Sequence, residues 1–208
     1  MSMIIAIISA HCDDAEIWMG GTISYFVEKG HKVHILTLVQ EESERILEAE
    51  EAAKFLNVKY NNFSLSEVEN VIDFLLRNKI EVIFTHPEND THPEHSIVNM
   101  TVKSMVLHMR RRSNYPRNLF SYTCYYGMLS NGETYQPQIY VDVSNFWKIK
   151  TDAIKLHCSQ STLLLEKEYF SQFELYGRRI GTDYAEVFRE LPIFGRISDI
   201  NQLSKIFS

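Results

Sequence analysis

His11, Cys12, Asp13 and Asp14 form one unbroken run of ligand-capable side chains directly behind an apolar stretch. A second set stands far down the chain, His86-Pro87-Glu88-Asn89-Asp90, and a third follows it closely, His92-Pro93-Glu94-His95. Imidazole and carboxylate are the donor types of a catalytic zinc, which takes about three N/O ligands and leaves one position open for water. A metal in such a site lowers the pKa of its water from 15.7 to about 7 and polarises a carbonyl oxygen. A free carboxylate beside it can take the water's proton and pass it on. Asp13 and Asp14 can divide these tasks because neighbouring side chains point in different directions, and a spare histidine can stabilise a developing oxyanion. Taken singly, Asp-Asp after a strand is more simply a polar turn or helix cap, and HxxH is more simply a pair of surface histidines. Spacing leaves a metal site and these plainer readings both open; the balance turns on whether one sheet brings the runs together.

The intervening elements point that way. Ile4-Ile5-Ala6-Ile7-Ile8 reads as a strand buried on both faces, as in a parallel sheet. Residues 15–28 read as a helix closed by Gly30, residues 32–39 as the next strand, and residues 41–56 as a helix ending at Asn57. Residues 60–65 are a weak strand. Ser66-Glu67-Val68-Glu69 resembles a capping box that opens a helix to about Arg77. Residues 81–85 are another buried strand, and residues 86–91 a loop. Pro93 suits the first position of a helix running to about Arg112, which sets His92 and His95 three apart near one face of its first turn. Further on, residues 118–128 and 138–143 read as strands, Ser130-Asn131-Gly132 as a turn, residues 145–158 and 163–176 as helices, and residues 185–188 as a final strand. Strands alternating with helices predict an α/β fold with a mostly parallel, doubly wound sheet and a C-terminal strand/helix elaboration. Sites in such sheets form beyond the carboxyl ends of the strands, where both polar runs stand.

Bulk properties narrow the function further. A chain of 208 residues is read as one domain, 1–208. Its net charge of −6 argues against a nucleic-acid partner. The one basic cluster, Arg110-Arg111-Arg112, sits at the end of a predicted helix and is explained by the helix dipole. The three cysteines, Cys12, Cys124 and Cys158, are too widely spaced for a disulfide framework or CxxC site, which suits a reducing cytoplasm. The apolar run from Met3 to Ala10 has no basic residue before it, so it reads as a strand and not as a signal peptide. No stretch reaches the ~18 apolar residues of a membrane span. The expectation is a soluble cytoplasmic protein.

His11-Cys12-Asp13-Asp14-Ala15-Glu16 with Gly20-Gly21-Thr22 resembles the AHPDDAE…GGT signature of the PIG-L/LmbE-like N-acetylglucosaminyl deacetylases. That family includes the deacetylases of mycothiol, bacillithiol and glycosylphosphatidylinositol synthesis. The series continues in order. Residues 85–95 resemble the second motif, ending in HP(D/E)H, and Arg45 with Glu48 and Ala52-Ala53 resembles the family's R-x-x-E…AA helix. Tyr140-Val141-Asp142-Val143-Ser144, Lys150 and His157-Cys158-Ser159-Gln160 resemble its YVDVS…K…HxSQ stretch. Tyr176-Gly177-Arg178-Arg179-Ile180-Gly181 with Tyr184-Ala185-Glu186-Val187-Phe188 resembles its RG…G..YAE.F ending.

The resemblance implies a Rossmann-like three-layer sandwich and one zinc ion per chain, other divalent ions being alternatives. It assigns His11, Asp14 and His95 as ligands, Asp13 as general base, His92 as oxyanion stabiliser or proton donor, and Arg45 as a substrate contact. The implied reaction is hydrolysis of an acetamide on an N-acetylglucosamine-type sugar conjugate, releasing acetate and an amino sugar. Family members are often homo-oligomers. Three departures stand out: Cys12 replaces the usual proline, Glu94 the commoner aspartate, and the loop after Val39 is short. The late HxSQ and YAExF motifs read mainly as packing and inter-element hydrogen bonding. Rival readings are an amidase for another amide such as a thiol S-conjugate, a non-catalytic sugar binder, and a nucleotide-binding Rossmann-like module. The last lacks a G-x-G-x-x-G after its first strand.

Overall fold

A computed structural model describes residues 2–160 and 162–207, without the side chains of residues 162–168 and Ile200. The first apolar run forms β1 (Ile4–Ser9). Its side chains alternate between two cores: Ile5 and Ile7 enter one, Ala6 and Ile8 the other. This is why the strand reads as continuously apolar instead of alternating. Next come α1 (Asp14–Glu28), β2 (Lys32–Thr37), α2 (Ser43–Phe55), β3 (Lys59–Asn62), α3 (Val68–Arg77), β4 (Val82–Thr85), α4 (Pro93–Arg110) and β5 (Asn118–Tyr122). β6 (Ile139–Asp142), α5 (Trp147–Ile154), α6 (Thr162–Ile180), β7 (Ala185–Glu190) and α7 (Ile200–Phe207) complete the chain.

The seven strands make one sheet in the order β3-β2-β1-β4-β5-β7-β6. β3 to β5 are parallel; β7 runs antiparallel to both β5 and β6. The core on one face gathers residues of α1, α5, α6 and α7, and the core on the other gathers those of α3 and α4. The expected three-layer α/β sandwich is therefore present, and the C-terminal elaboration supplies its antiparallel edge. Connections leave β1 toward β2 and β3, then cross back to β4, so the switch point lies between the carboxyl ends of β1 and β4. No described helix is long and apolar enough to cross a membrane.

Several boundaries differ from expectation. The capping box is formed by Ser64 and Glu67, two residues earlier than the Ser66–Glu69 reading, and it opens a short 3₁₀ turn ahead of α3. β5 stops at Tyr122, because the chain bends into a turn at Tyr125–Gly127 with Tyr126 in the left-handed region. α5 is shorter than residues 145–158 because Ser144–Phe146 forms its own 3₁₀ turn and the chain turns back after Ile154.

The Gly20-Gly21-Thr22, Lys150 and YAE motifs prove to be one assembly. α1 is broken at Met19 (φ −148°, ψ 24°). The freed N–H groups of Gly21 and Thr22 donate to the Glu186 carboxylate at 3.0 and 2.6 Å. Lys150 Nζ donates to the same carboxylate at 2.6 Å, and both charged side chains are fully buried. The glycines permit the approach: a Cβ on Gly21 would lie 2.6 Å from Val143 Cβ, and one on Gly20 3.1 Å from Lys150 Cγ.

Glu186→Ala would strand a buried ammonium and two backbone donors, and is expected to cost about 3–5 kcal/mol in urea unfolding. Gly21→Ala should cost about 1–3 kcal/mol, partly restored in Gly21→Ala/Val143→Ala, since the clash is with Val143. A cost below about 0.5 kcal/mol for Glu186→Ala would match an ordinary surface substitution and remove this assembly from the fold's support.

Candidate metal centre

The loop from Ala10 to Asp13 leaves β1 across the switch point, and α1 begins at Asp14. Its geometry is fixed from two sides. The His11 backbone N–H donates to Asp14 Oδ2 at 2.7 Å, and the Ala10 N–H donates to His86 Nε2 at 2.9 Å. The second loop leaves β4 at Thr85 and enters α4 with Pro93 at the helix start and His92 as its N-cap. Within this loop Asp90 accepts from the His92 backbone N–H at 2.9 Å, and Ser96 Oγ donates to the Asp90 carbonyl at 3.2 Å.

Three side-chain donors from these two loops converge. His11 Nδ1 lies 3.4 Å from Asp14 Oδ2, Asp14 Oδ1 lies 3.3 Å from His95 Nε2, and the two nitrogens are 3.3 Å apart. An ion with tetrahedral bonds of about 2.0–2.1 Å holds its ligand atoms about 3.3 Å from one another. Each pair in the trio has that spacing, with Asp14 turning a different oxygen to each histidine; taken one donor atom per residue, the converging groups are His11, His92 and His95, and Asp14, His86 and His95. Each imidazole is also oriented by a carboxylate on its outer nitrogen: His95 Nδ1 meets Asp90 Oδ2 at 3.0 Å, and His11 Nε2 meets Glu94 Oε2 at 2.7 Å. Such outer partners set the tautomer and raise the basicity of a metal-binding histidine.

The electrostatics favour positive charge at this point. Burial lowers the pKa of His11, but Asp14 and Glu94 outweigh it and raise it to about 9. Burial likewise opposes His95, which Asp14 and Asp90 raise to about 10. Burial pushes Asp14 up, yet the adjacent imidazoles, His95 foremost, hold it well below the usual carboxylate range.

The other histidines differ in kind. His86 is buried and its pKa falls to about 4 through desolvation. Although it lies 3.3 Å from Asp14 and stacks on His95, its Nε2 lone pair is already engaged by Ala10. That makes it a wall of the site, even though Asp14, His86 and His95 also converge. His92 is partly exposed, stacks on His95 at 4.6 Å and meets His11 edge-on at 4.9 Å. Its Nδ1 has no hydrogen-bond partner among the described residues. Burial, with the cationic charge of His95 and His11, lowers its pKa.

Asp13 is buried beside the trio, and burial together with the Asp14 charge raises its pKa. Arg45 reaches it from α2, with Nη2 3.4 Å from Asp13 Oδ1 and Nη1 2.6 Å from Glu41 Oε2. The short loop after Val39 places Glu41 there. Of the six residues singled out in the sequence, His11, Asp14, His92 and His95 contact one another, and Asp13 and Arg45 pair beside them. Cys12 turns away: its buried Sγ lies 3.2 Å from Tyr60 OH, and burial pushes its pKa up to about 11.

Asp90 carries no individual role in the sequence reading. The available signal is a carboxylate five residues before the second histidine of HxxH, within reach of its outer nitrogen. His157, structural by its motif, has its Nε2 3.8 Å from Glu16 Oε2 in a fully enclosed pair behind Asp13. Two residues on, the Ser159 N–H and Oγ donate to Glu48 at 2.7 and 2.6 Å. The HxSQ motif therefore clamps α2, the helix that carries Arg45.

Residues 6–106, which hold both loops and Arg45, match the family described as PIG-L: GlcNAc-PI de-N-acetylase. The matched stretch is just under half of the chain, which is thus similar to the PIG-L family over that part. That family is one of metal-dependent deacetylases. Solved structures resemble the fold over almost the whole chain. The conserved protein TT1542 from Thermus thermophilus is 20% identical with a TM-score of 0.77, over 95% of this chain and 97% of that one. GalB, the 4-carboxy-2-hydroxymuconate hydratase from Pseudomonas putida, is 17% identical with a TM-score of 0.76, over 95% and 98%. The N,N'-diacetylchitobiose deacetylase from Pyrococcus horikoshii is 21% identical with a TM-score of 0.73, over 97% and 89%. These likenesses concern the fold, which carries both a hydratase and a deacetylase.

Asp90→Asn is expected to lower affinity for a divalent ion about 10–100-fold in competition with a chromophoric chelator, with the fold intact. Unchanged affinity would deny Asp90 its orienting part. At pH 7 both His11 and His95 lie below their raised pKa values and are protonated in metal-free protein. Metal ligation must displace those protons, so calorimetry in buffers of different ionisation enthalpy should show about one to two released per ion. No release would mean that these nitrogens do not bind the ion.

Proposed function

We propose that the chain is a zinc-dependent N-deacetylase that hydrolyses the acetamide of an N-acetylglucosamine-type sugar conjugate, releasing acetate and a free amino sugar. The observation that carries this reading is the approach of His11, Asp14 and His95 to one another, with a second carboxylate, Asp13, beside them and held by Arg45. Zinc bound there would polarise the acetamide oxygen and lower the pKa of its water toward 7.

Asp13 serves as the base. Its raised pKa brings a carboxylate closer to the range in which it can both take and return a proton. His92 stacks on His95 and meets His11 edge-on, so its partly exposed ring stands at the site as the donor to the developing oxyanion or to the departing amine. Arg45 holds Asp13 and Glu41 through its two Nη groups, and beside the base it serves as the substrate contact. The buried His157–Glu16 pair lies close enough for His157 to act electrostatically on Asp13.

Asp13→Ala is expected to lower kcat about 10²–10⁴-fold while zinc content stays at wild type. His92→Ala should lower kcat about 10²–10³-fold. Wild-type turnover in either variant removes that residue from the mechanism. Acetate release from a panel of N-acetylglucosamine conjugates, run beside other amides and an enol-acid hydration substrate, tests the reaction itself. Turnover of the hydration substrate without acetate release would overturn the deacetylase reading.

A further inference from the structure

At the edge of the sheet opposite the catalytic loops, three arginines from separate segments face one cavity of about 550 Å³. Arg110 is the last residue of α4, Arg117 immediately precedes β5, and Arg196 lies in the turn after β7. Arg110 belongs to the triple-arginine run at the helix end. The helix does end there, with Arg111 as its C-cap, but the Arg110 side chain has this second position as well. Neither Arg110 nor Arg196 has an ion pair among the described residues, and Arg117 has only a 3.7 Å approach to Glu81.

The one carboxylate in the wall offsets only one of the three guanidiniums. Glu190 accepts from the Ser198 backbone N–H at 2.8 and 3.0 Å and from the Ser198 hydroxyl. The cavity thus concentrates positive charge on a chain whose net charge is −6. At its mouth Ile193 and Arg196 close a two-residue turn, with Phe194 at φ 51° and Gly195 at φ 72°. A phenylalanine in the left-handed region is disfavoured by roughly 1–2 kcal/mol. Here it gains no burial in return: Phe194 is 54% and neighbouring Ile197 67% exposed. A strained apolar ring beside unpaired guanidiniums is a reason to look for a ligand.

We propose that this cavity binds a small phosphorylated molecule with a flat apolar group. Planar guanidiniums match phosphate oxygens bidentately, Phe194 stacks on the apolar part, and the volume falls within the usual range for small-molecule sites. The site is separate from the metal centre, so occupancy there does not compete with a deacetylation substrate, and the proposal stands independently of the reaction assigned above.

Phenyl phosphate is the probe, with inorganic phosphate as the comparison, titrated calorimetrically into the full-length zinc-loaded protein. Saturable binding at millimolar Kd or tighter is expected. The Arg117→Gln/Arg196→Gln double variant alters two exposed side chains and should keep its Tm while losing about tenfold or more in affinity for both probes. Phe194→Ala should weaken phenyl phosphate and leave inorganic phosphate unchanged. Absence of saturable binding, or equal affinity in the double variant, overturns the proposal; the latter would put the phosphate at the catalytic metal. Equal phenyl phosphate affinity in Phe194→Ala overturns the stacking part. Cosedimentation with phosphatidylglycerol vesicles that the double variant abolishes, without phenyl phosphate binding, would also overturn it, in favour of a membrane surface.

Discussion

Asp14 is the constraint around which the site is organised. A carboxylate that is 2% exposed at the centre of an α/β sheet is costly unless its charge is met on several sides. It opens α1, so it sits at the positive end of the helix dipole. One oxygen accepts the His11 backbone N–H, and both face imidazoles. The same arrangement that makes the charge tolerable draws His11 and His95 to ligand spacing. Asp90 and Glu94 then add negative charge behind those rings, so the cluster as a whole favours a cation at its centre.

That organisation depends on α1 staying where it is, and the late part of the chain secures it. Glu186 caps the break in α1, Lys150 neutralises Glu186, and two glycines let Val143 and Lys150 approach the helix. A buried ion pair of this kind adds little net stability over apolar packing, but removing one partner is severe. Its role here is positional, since it ties β7 and α5 to the helix whose first residue is Asp14. The HxSQ segment does the same for α2 through Ser159 and Glu48, and so for the guanidinium beside Asp13. Motifs far down the chain from the first metal loop thus act on the site through two helices.

Much of this is legible without coordinates. β1 and β4 are short β-branched runs buried on both faces, and Pro93 marks a helix start without ambiguity, so both metal loops can be placed at strand ends. What stays hidden is set by tertiary contact. Asp90 looks like any loop aspartate until His95 is positioned above it. Gly20-Gly21 inside a helical pattern predicts weakness, and only Val143, Lys150 and Glu186 show why the helix breaks there. The turn at Tyr125–Gly127 reads as strand because aromatic residues favour strands, whereas the left-handed Tyr126 is imposed by packing of its neighbours. Arg110 is explained by its helix, and its cavity partners lie in segments with no local signal.

The fold by itself does not select the reaction. A 4-carboxy-2-hydroxymuconate hydratase and an N,N'-diacetylchitobiose deacetylase both overlay on this fold, at TM-scores of 0.76 and 0.73. Both reactions add water to a polarised double bond, so both can use a metal with a carboxylate base. They differ in the fate of the second proton. Amide cleavage needs a donor at the departing nitrogen, and an alkene hydration needs one at carbon. In this chain His92 stands at the start of α4, fixed by its backbone bond to Asp90 and by stacking on His95. The proposed deacetylation takes His92 as the donor to an amine leaving group and Asp13 as the base, and so rests on these two residues together, with the metal ligands common to either chemistry.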